Sequence, residues 1–261
     1  MATEQKELWD SFNGVGFAAE YSKYSNAACN DADGNSIQAT YATKAAIAPK
    51  MDKAALGTGM YEVPMDNTIE IGGRAYPIVK IGNQLWMAEN LEYVWDGLTV
   101  GGSSSSDSRA WYYNNDKSFY GLDGTYKCGL LYNWFAVDSL NSGTLLPEGW
   151  RVASKSDYDL LISFIGSNAA TKLKSKDNAI VSGYPNNWNG NDEYGFNALP
   201  CGRYPEVSFL GFGSELFLWT STYDQGLSSY LVSMKNTESY VSIGTNHKTC
   251  GFYVRLVKNI T

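Results

Sequence analysis

From about residue 65 onward the chain is written in short stretches of period two. Within the run Leu216 to Lys258, Val232 and Met234, then Val241 and Ile243, then Phe252, Val254 and Leu256 set apolar side chains on one face of a strand. TIEIGG from Thr68 and AYPIVKIGNQLWMAENL up to Leu91 read the same way, and Gly72-Gly73 between them predicts a hairpin turn. CGLLYNWFAV, Cys128 to Val137, is apolar nearly all round and predicts a short buried helix or strand. The clearest helix follows in SKSDYDLLISFIG. Ser154 is its N-cap, Asp157 the partner in a capping box, Tyr158, Leu161, Ile162 and Ile165 its buried stripe, and Gly166 its stop. Many short strands with one or two helices make residues 65–261 an α+β domain.

Residues 1–64 have another texture, richer in Ala, poorer in Trp and without strand alternation, and are expected to form a separate small unit. Its helix-forming stretch, Thr43 to Leu56, is interrupted by Pro49, which ends or kinks a helix near Ala48. DADGN, Asp31 to Asn35, has its glycine at the fourth rather than the sixth position of a calcium loop and no glutamate at the twelfth, so it reads as a turn. Further on, GGSSSSDS from Gly101 to Ser108 predicts a flexible surface loop.

Composition narrows the functional classes. An apolar content of 44% fits a globular chain. A net charge of -7, with only 20 Lys and Arg spread along the sequence, argues against nucleic acid as partner. Nineteen Tyr, 8 Trp and 26 Gly favour strands, turns and recognition surface over a helical bundle. MATEQKELWDSF lacks the features of a secretory signal and no run of eighteen apolar residues occurs, so no membrane insertion is expected. Cys29, Cys128, Cys201 and Cys250 form no CxxC, and reduced, partly buried thiols are the expectation.

Catalytic groups are scarce. His247 is the one histidine, which removes HExxH and multi-histidine zinc sites, and in TNHKT it reads as a solvated loop residue. A serine nucleophile elbow, GxxxxGK and GxGxxG are absent. Asp192 and Glu193 are adjacent, but an acid/base pair must face a substrate from opposed sides, so they carry no catalytic weight. NNWNGNDE, Asn186 to Glu193, has oxygen donors without a calcium-binding triplet. No catalytic residue, metal or cofactor is predicted.

What the last run does offer is a mixture used by binding loops, Tyr for contact area and Ser or Asn for adaptable hydrogen bonds. The candidate ligand-binding residues are Tyr223, Asp224, Gln225, Ser228, Ser229, Tyr230, Asn236, Ser239, Tyr240, Asn246, His247, Lys248 and Thr249. Tyr230 shares the phase of Val232 and Met234, which makes it a candidate for burial too. Polar hairpins that bind nothing have a similar composition. Trp86, Trp134, Trp150 and Trp219 are expected in the core.

Six blocks then resemble one family in order: IGNQLWMAENL (Ile81 to Leu91), GLLYNWFAV (Gly129 to Val137), LLPEGWRVASKSDYDLLISFIG (Leu145 to Gly166), EYGFNALP (Glu193 to Pro200), LFLWTST (Leu216 to Thr222) and GFYVRLVK (Gly251 to Lys258). They are similar to the Fibrobacter succinogenes major paralogous domain. The resemblance implies a C-type-lectin-like fold, shared with formylglycine-generating enzymes and with variable proteins of diversity-generating retroelements. In the latter, the segment before the closing strand is a display surface mutagenised at adenines, where positions built from AAC-type codons can become Asn, Ser, Thr, Tyr, Asp, His or Cys, a set close to the candidates. The expectation is therefore a non-catalytic receptor-binding or adhesion protein at a virion or cell surface, otherwise cytoplasmic, whose partner is a host surface protein or glycan. DADGNSIQATYATKA, Asp31 to Ala45, resembles connecting segments of phage tail fibres, which implies attachment or homo-oligomerisation through the N-terminal unit. A structural or adhesin subunit without a diversified site is the alternative. A formylglycine-generating oxidase would have to use Cys201 and Cys250. Cys201 stands where the family pattern leads one to expect glycine, and Cys250 is either a diversified position or a partner for Cys201 in an oxidising setting.

Overall fold

The computed structural model describes residues 67–117, 128–176 and 187–260, all within the unit Met65–Thr261. The expected N-terminal unit, its Thr43 to Leu56 helix and its Asp31 to Asn35 turn lie outside the described residues. The described part opens with β1 (Thr68–Ile71) and β2 (Arg74–Ile81). Gly72 and Gly73 join them with φ of +58° and +78°, the left-handed pair that a two-residue hairpin turn of matching twist requires. β3 (Gln84–Met87), β4 (Thr99–Val100), β5 (Arg109–Trp111) and β6 (Leu131–Tyr132) follow. The apolar block at Cys128 to Val137 turns out to supply both a strand and a helix, because Asn133 after β6 caps α1 (Trp134–Ser142), its side chain accepting from Ala136 N at 3.0 Å.

After β7 (Arg151–Val152) comes α2 (Lys155–Ile165) with the expected capping box: Ser154 Oγ accepts from Asp157 N, and Ser154 N donates to Asp157 Oδ2 at 2.8 Å. Tyr158, Leu161 and Ile165 are buried, worth about 1.5–3 kcal/mol each. α3 (Ala169–Leu173) is a third, short helix among the described residues. β8 (Cys201–Arg203), β9 (Leu210–Phe212), β10 (Glu215–Gln225), β11 (Ser228–Lys235), β12 (Ser242–His247) and β13 (Leu256–Asn259) complete the described elements.

The strands form two five-stranded sheets, β1-β2-β3-β13-β7 and β12-β11-β10-β8-β9, and a small one, β4-β5-β6. β13 thus closes the fold between β3 and β7. The β10–β11 hairpin is buried on both faces. Leu216, Leu218, Val232 and Met234 join the core beneath α2 and α3, whereas Phe217, Trp219 and Leu231 join the core that contains Trp134, Tyr132 and Phe252. Of the four tryptophans assigned to the core, Trp86, Trp134 and Trp219 are buried and Trp150 is half-buried.

Two expectations are corrected. Cys128 and Cys201 form a disulfide, Cα atoms 5.6 Å apart, so they are not reduced thiols and Cys250 is not the partner of Cys201; Cys250 is a free, buried thiol. The Gly101 to Ser108 loop is pinned rather than free: Arg109 Nη1 and Trp111 Nε1 donate to Gly101 O and Gly102 O at 2.8 and 2.7 Å, and Asn133 Nδ2 donates to Ser105 O and Asp107 O.

Arg255 is fully buried and makes no ion pair among the described residues. Its guanidinium donates to Asn90 Oδ1 and to the carbonyls of Met87, Phe196 and Asn197 at 2.8–3.1 Å, and stacks on Phe196. Burial lowers its pKa to about 10. One side chain thereby ties the start of the closing strand to two segments distant in sequence, Met87 to Asn90 and Phe196-Asn197.

Candidate functional site

The β10–β11 hairpin ends in a tip that the rest of the domain holds in place. Between Trp219 and Tyr223, four steps along β10 face two along β11, and the register shifts again before Gln225. Such bulges bend a strand and re-aim its side chains. The polar run Thr220 to Thr222 occupies this irregular stretch and bonds outward from it. Thr220 Oγ1 donates to Tyr230 O at 2.9 Å, Ser221 Oγ donates to Val152 O at 3.1 Å, and Thr222 Oγ1 accepts from Lys155 N at 2.9 Å. The hairpin is so tied to β7 and to the start of α2.

Lys248 pins the tip from the other side. Its backbone N donates to Leu227 O at 2.8 Å and its ammonium to Gly226 O at 3.0 Å. That ammonium lies 4.6 Å from the centre of the Trp134 ring and 4.1 Å from that of Tyr223. Lys248 is only 7% exposed and makes no ion pair among the described residues, so the two rings supply the attraction a carboxylate usually gives. Trp134 is fixed in turn, Nε1 donating to Thr220 O at 3.0 Å.

A second polar knot lies beside it. His247 Nδ1 is 2.8 Å from Glu206 Oε1 and 2.5 Å from Thr249 Oγ1, and the Thr249 hydroxyl donates to Glu206. Glu206 reaches the knot from a left-handed backbone, φ +74°, a conformation that elsewhere in the described chain falls to Asn, Asp and Gly. Ser104 Oγ of the pinned loop donates to Thr249 O at 2.9 Å. Cys250 Sγ contacts Asn246 Oδ1 at 3.5 Å, and burial pushes its thiol up to about 12. Cys201 is bonded to Cys128, and Cys250 is a separate buried thiol.

The thirteen sequence-derived candidates divide in space. Tyr223, Asp224, Gln225, Ser228, Ser229, Tyr230, Asn246, His247, Lys248 and Thr249 gather at the hairpin tip, where β11 and β12 set Ser228, Ser229 and Tyr230 opposite His247, Asn246 and Thr245. Asn236, Ser239 and Tyr240 sit beyond the far end of β11, about 24 Å away at a strand rise of about 3.4 Å per residue. At the tip, Tyr223 and Gln225 are exposed, while Asp224, Ser228, Tyr230, Asn246, His247 and Thr249 are half-buried. Ser229 and Lys248 are buried, and among the described residues the Ser229 hydroxyl has no partner, so these two lie beneath the surface.

Pattern reading missed several members. Leu227, 63% exposed at the tip, and Val207, 87% exposed beside Glu206, are apolar side chains left in water. Leu227 could be found as the residue after Gly226 in a hairpin turn, whereas the arrival of Val207, Glu206 and the Gly101 to Ser108 loop at this region depends on contacts distant in sequence, which carry no local signal.

Residues 79–258 match the model of the Fibrobacter succinogenes major domain, and the chain belongs to that family. No curated protein and no solved structure matches it. Among the described residues no helix is long and apolar enough to cross a membrane.

Proposed function

We propose that this chain is a non-catalytic ligand-binding protein that recognises a macromolecular surface with the end of the β10–β11–β12 meander. The carrying observation is the contrast at the tip: Tyr223 and Leu227 stand exposed among Gln225, Ser228, Asn246 and Thr249, while Lys248, Trp134 and Thr220 lock the backbone that presents them. Exposed aromatic and apolar anchors rimmed by small polar groups on a pre-ordered frame suit a broad interface, because little conformational freedom is lost on binding. Family membership supports reading the scaffold as C-type-lectin-like and the tip as a surface diversified by a retroelement. The Cys128–Cys201 disulfide supports an oxidising destination such as a virion or cell surface. The partner on this reading is a host surface protein or glycan, and the N-terminal unit serves attachment.

The test is binding of the full chain to arrayed glycans and arrayed host surface proteins, wild type against Leu227→Asp and Gln225→Ala/Ser228→Ala. Leu227 is 63% exposed and belongs to neither core, so the reading requires lost binding at an unchanged Tm. Ligands retained equally by all variants would overturn it. For the diversified origin, the decisive observation is a near-copy of the DNA encoding Thr220 to Lys258, differing at adenines, beside a reverse transcriptase.

A further inference from the structure

We propose that β12 is a self-pairing edge through which two copies of this chain join their sheets, independently of the ligand read above. Among the described residues β12 closes one side of its sheet and pairs only with β11. The register settles which of its backbone groups are used. Thr220 Oγ1 bonds Tyr230 O, so Tyr230, and by alternation Val232 and Met234, turn their backbone groups toward β10. Ser229, Leu231 and Ser233 therefore face β12, opposite Asn246, Gly244 and Ser242. Lys248 N keeps the same phase when it donates to Leu227 O. Ile243 and Thr245, in the opposite phase, point their N–H and C=O groups away from the sheet, and among the described residues nothing answers them. His247, next in that phase, is already closed, its N–H on Asn246 Oδ1 and its C=O accepting from Cys250 N.

Protein edges are usually protected by a lysine, a proline or a bulge. Ser242 to His247 has none of these, and no charged side chain before His247. The occupant that fits is a second β12. An antiparallel two-fold register centred on Gly244 sets Ile243 opposite Thr245 of the second copy, and Thr245 opposite its Ile243. Those are the residues whose backbone groups face outward, so both pairs close fully, with β-branched side chains neighbouring each other across the junction. Gly244 then meets itself on the axis in the closely spaced kind of pair, Cα atoms about 4.5 Å apart. It is exposed, and a Cβ added there meets nothing within 4 Å.

That spacing makes the test direct, because it lies within the disulfide range. In the full chain, Gly244→Cys should form an interchain disulfide on mild oxidation, seen as a doubled band on a non-reducing gel, while Leu227→Cys should not. Light scattering should find the wild type as a dimer or a multiple of dimers, and Thr245→Lys should lose that pairing at an unchanged Tm. A wild type that stays monomeric, including one whose free edge takes up a foreign strand instead, overturns the proposal. So does an assembly whose mass is unaltered in Thr245→Lys and which Gly244→Cys fails to cross-link.

Discussion

Replacing Lys248 by Met tests whether the tip is held or merely placed. The substitution keeps the length of the side chain and removes its charge. Lost are the ammonium bond to Gly226 O, about 1.5–3 kcal/mol for a charged donor, and attraction to two rings, about 2 kcal/mol when desolvated. Offsetting this, the burial penalty of the charge disappears and a thioether against Trp134 and Tyr223 returns about 0.3–1.5 kcal/mol. A net loss of about 1–2 kcal/mol falls on local opening of the tip rather than on global unfolding, because Gly226 and Leu227 belong to neither core. Hydrogen exchange monitored by mass spectrometry should then quicken about 5–30-fold for residues 223–229 and for the Lys248 amide, with α2 unchanged as internal reference. Unchanged exchange at the tip would refute the pinning role. Equal quickening in α2 would show instead that Lys248 supports the whole fold.

Two further expectations concern stability. Lys174 is buried, its ammonium donating to Lys235 O and Glu238 O at 2.6 and 2.7 Å, and burial lowers its pKa from 10.5 to about 8. The unfolded chain then holds a proton that the folded chain releases, so stability rises with pH above about 8, by about 1 kcal/mol between pH 8 and 9. From about pH 8 upward the buried Cys250 thiol, raised from 9.0 to about 12, acts in the opposite sense, offsets part of that rise and limits the window. Urea midpoints at pH 8 and 9 should show the rise in the wild type and not in Lys174→Met; a flat wild type contradicts it. The Cys128–Cys201 bond spans 73 residues, for which chain entropy gives about 4 kcal/mol, and reduction should lower Tm by about 8–16 °C. A melt indifferent to reductant would refute that.

What could be read in advance follows the range of the interaction. α2 was legible to the residue because its cap, stripe and stop lie within a dozen positions. The Gly72-Gly73 turn was legible for the same reason. Cys128–Cys201 was not, since its pairing depends on β8 meeting the segment before β6, a tertiary fact with no spacing signature. Arg255 was invisible for a related cause: alternation marks Phe252, Val254 and Leu256 as core, but residues 251–257 are all buried, and Arg255 is tolerated inside only because carbonyls from two remote segments converge on it. The candidate site was half legible. Residue type found the tip, yet it also gathered Asn236, Ser239 and Tyr240 from the other end of the meander, and it could not separate Lys248 from its exposed neighbours.

That separation bears on which positions are free to change. A residue on a diversified surface must vary without unmaking the frame, and the frame here reaches into the same short segment. Lys248 cannot become Asn without emptying the cage between Trp134 and Tyr223, and Thr220 cannot lose its hydroxyl without releasing the Tyr230 carbonyl. Ser229 is sealed at full burial, so a tyrosine there would overpack the core. Tyr223 serves twice, as an exposed anchor and as one wall of the cage, and its replacement would trade contact area against rigidity. The positions at the tip that carry neither duty are Asp224, Gln225, Leu227 and Ser228, a continuous stretch around Gly226 with open space beside it. Sequence variation between copies of this protein should therefore concentrate at those four residues and spare Lys248 and Ser229, although all lie within the same polar run. Copies in which Lys248 varies as freely as Gln225 would mean that the cage is not what holds the tip.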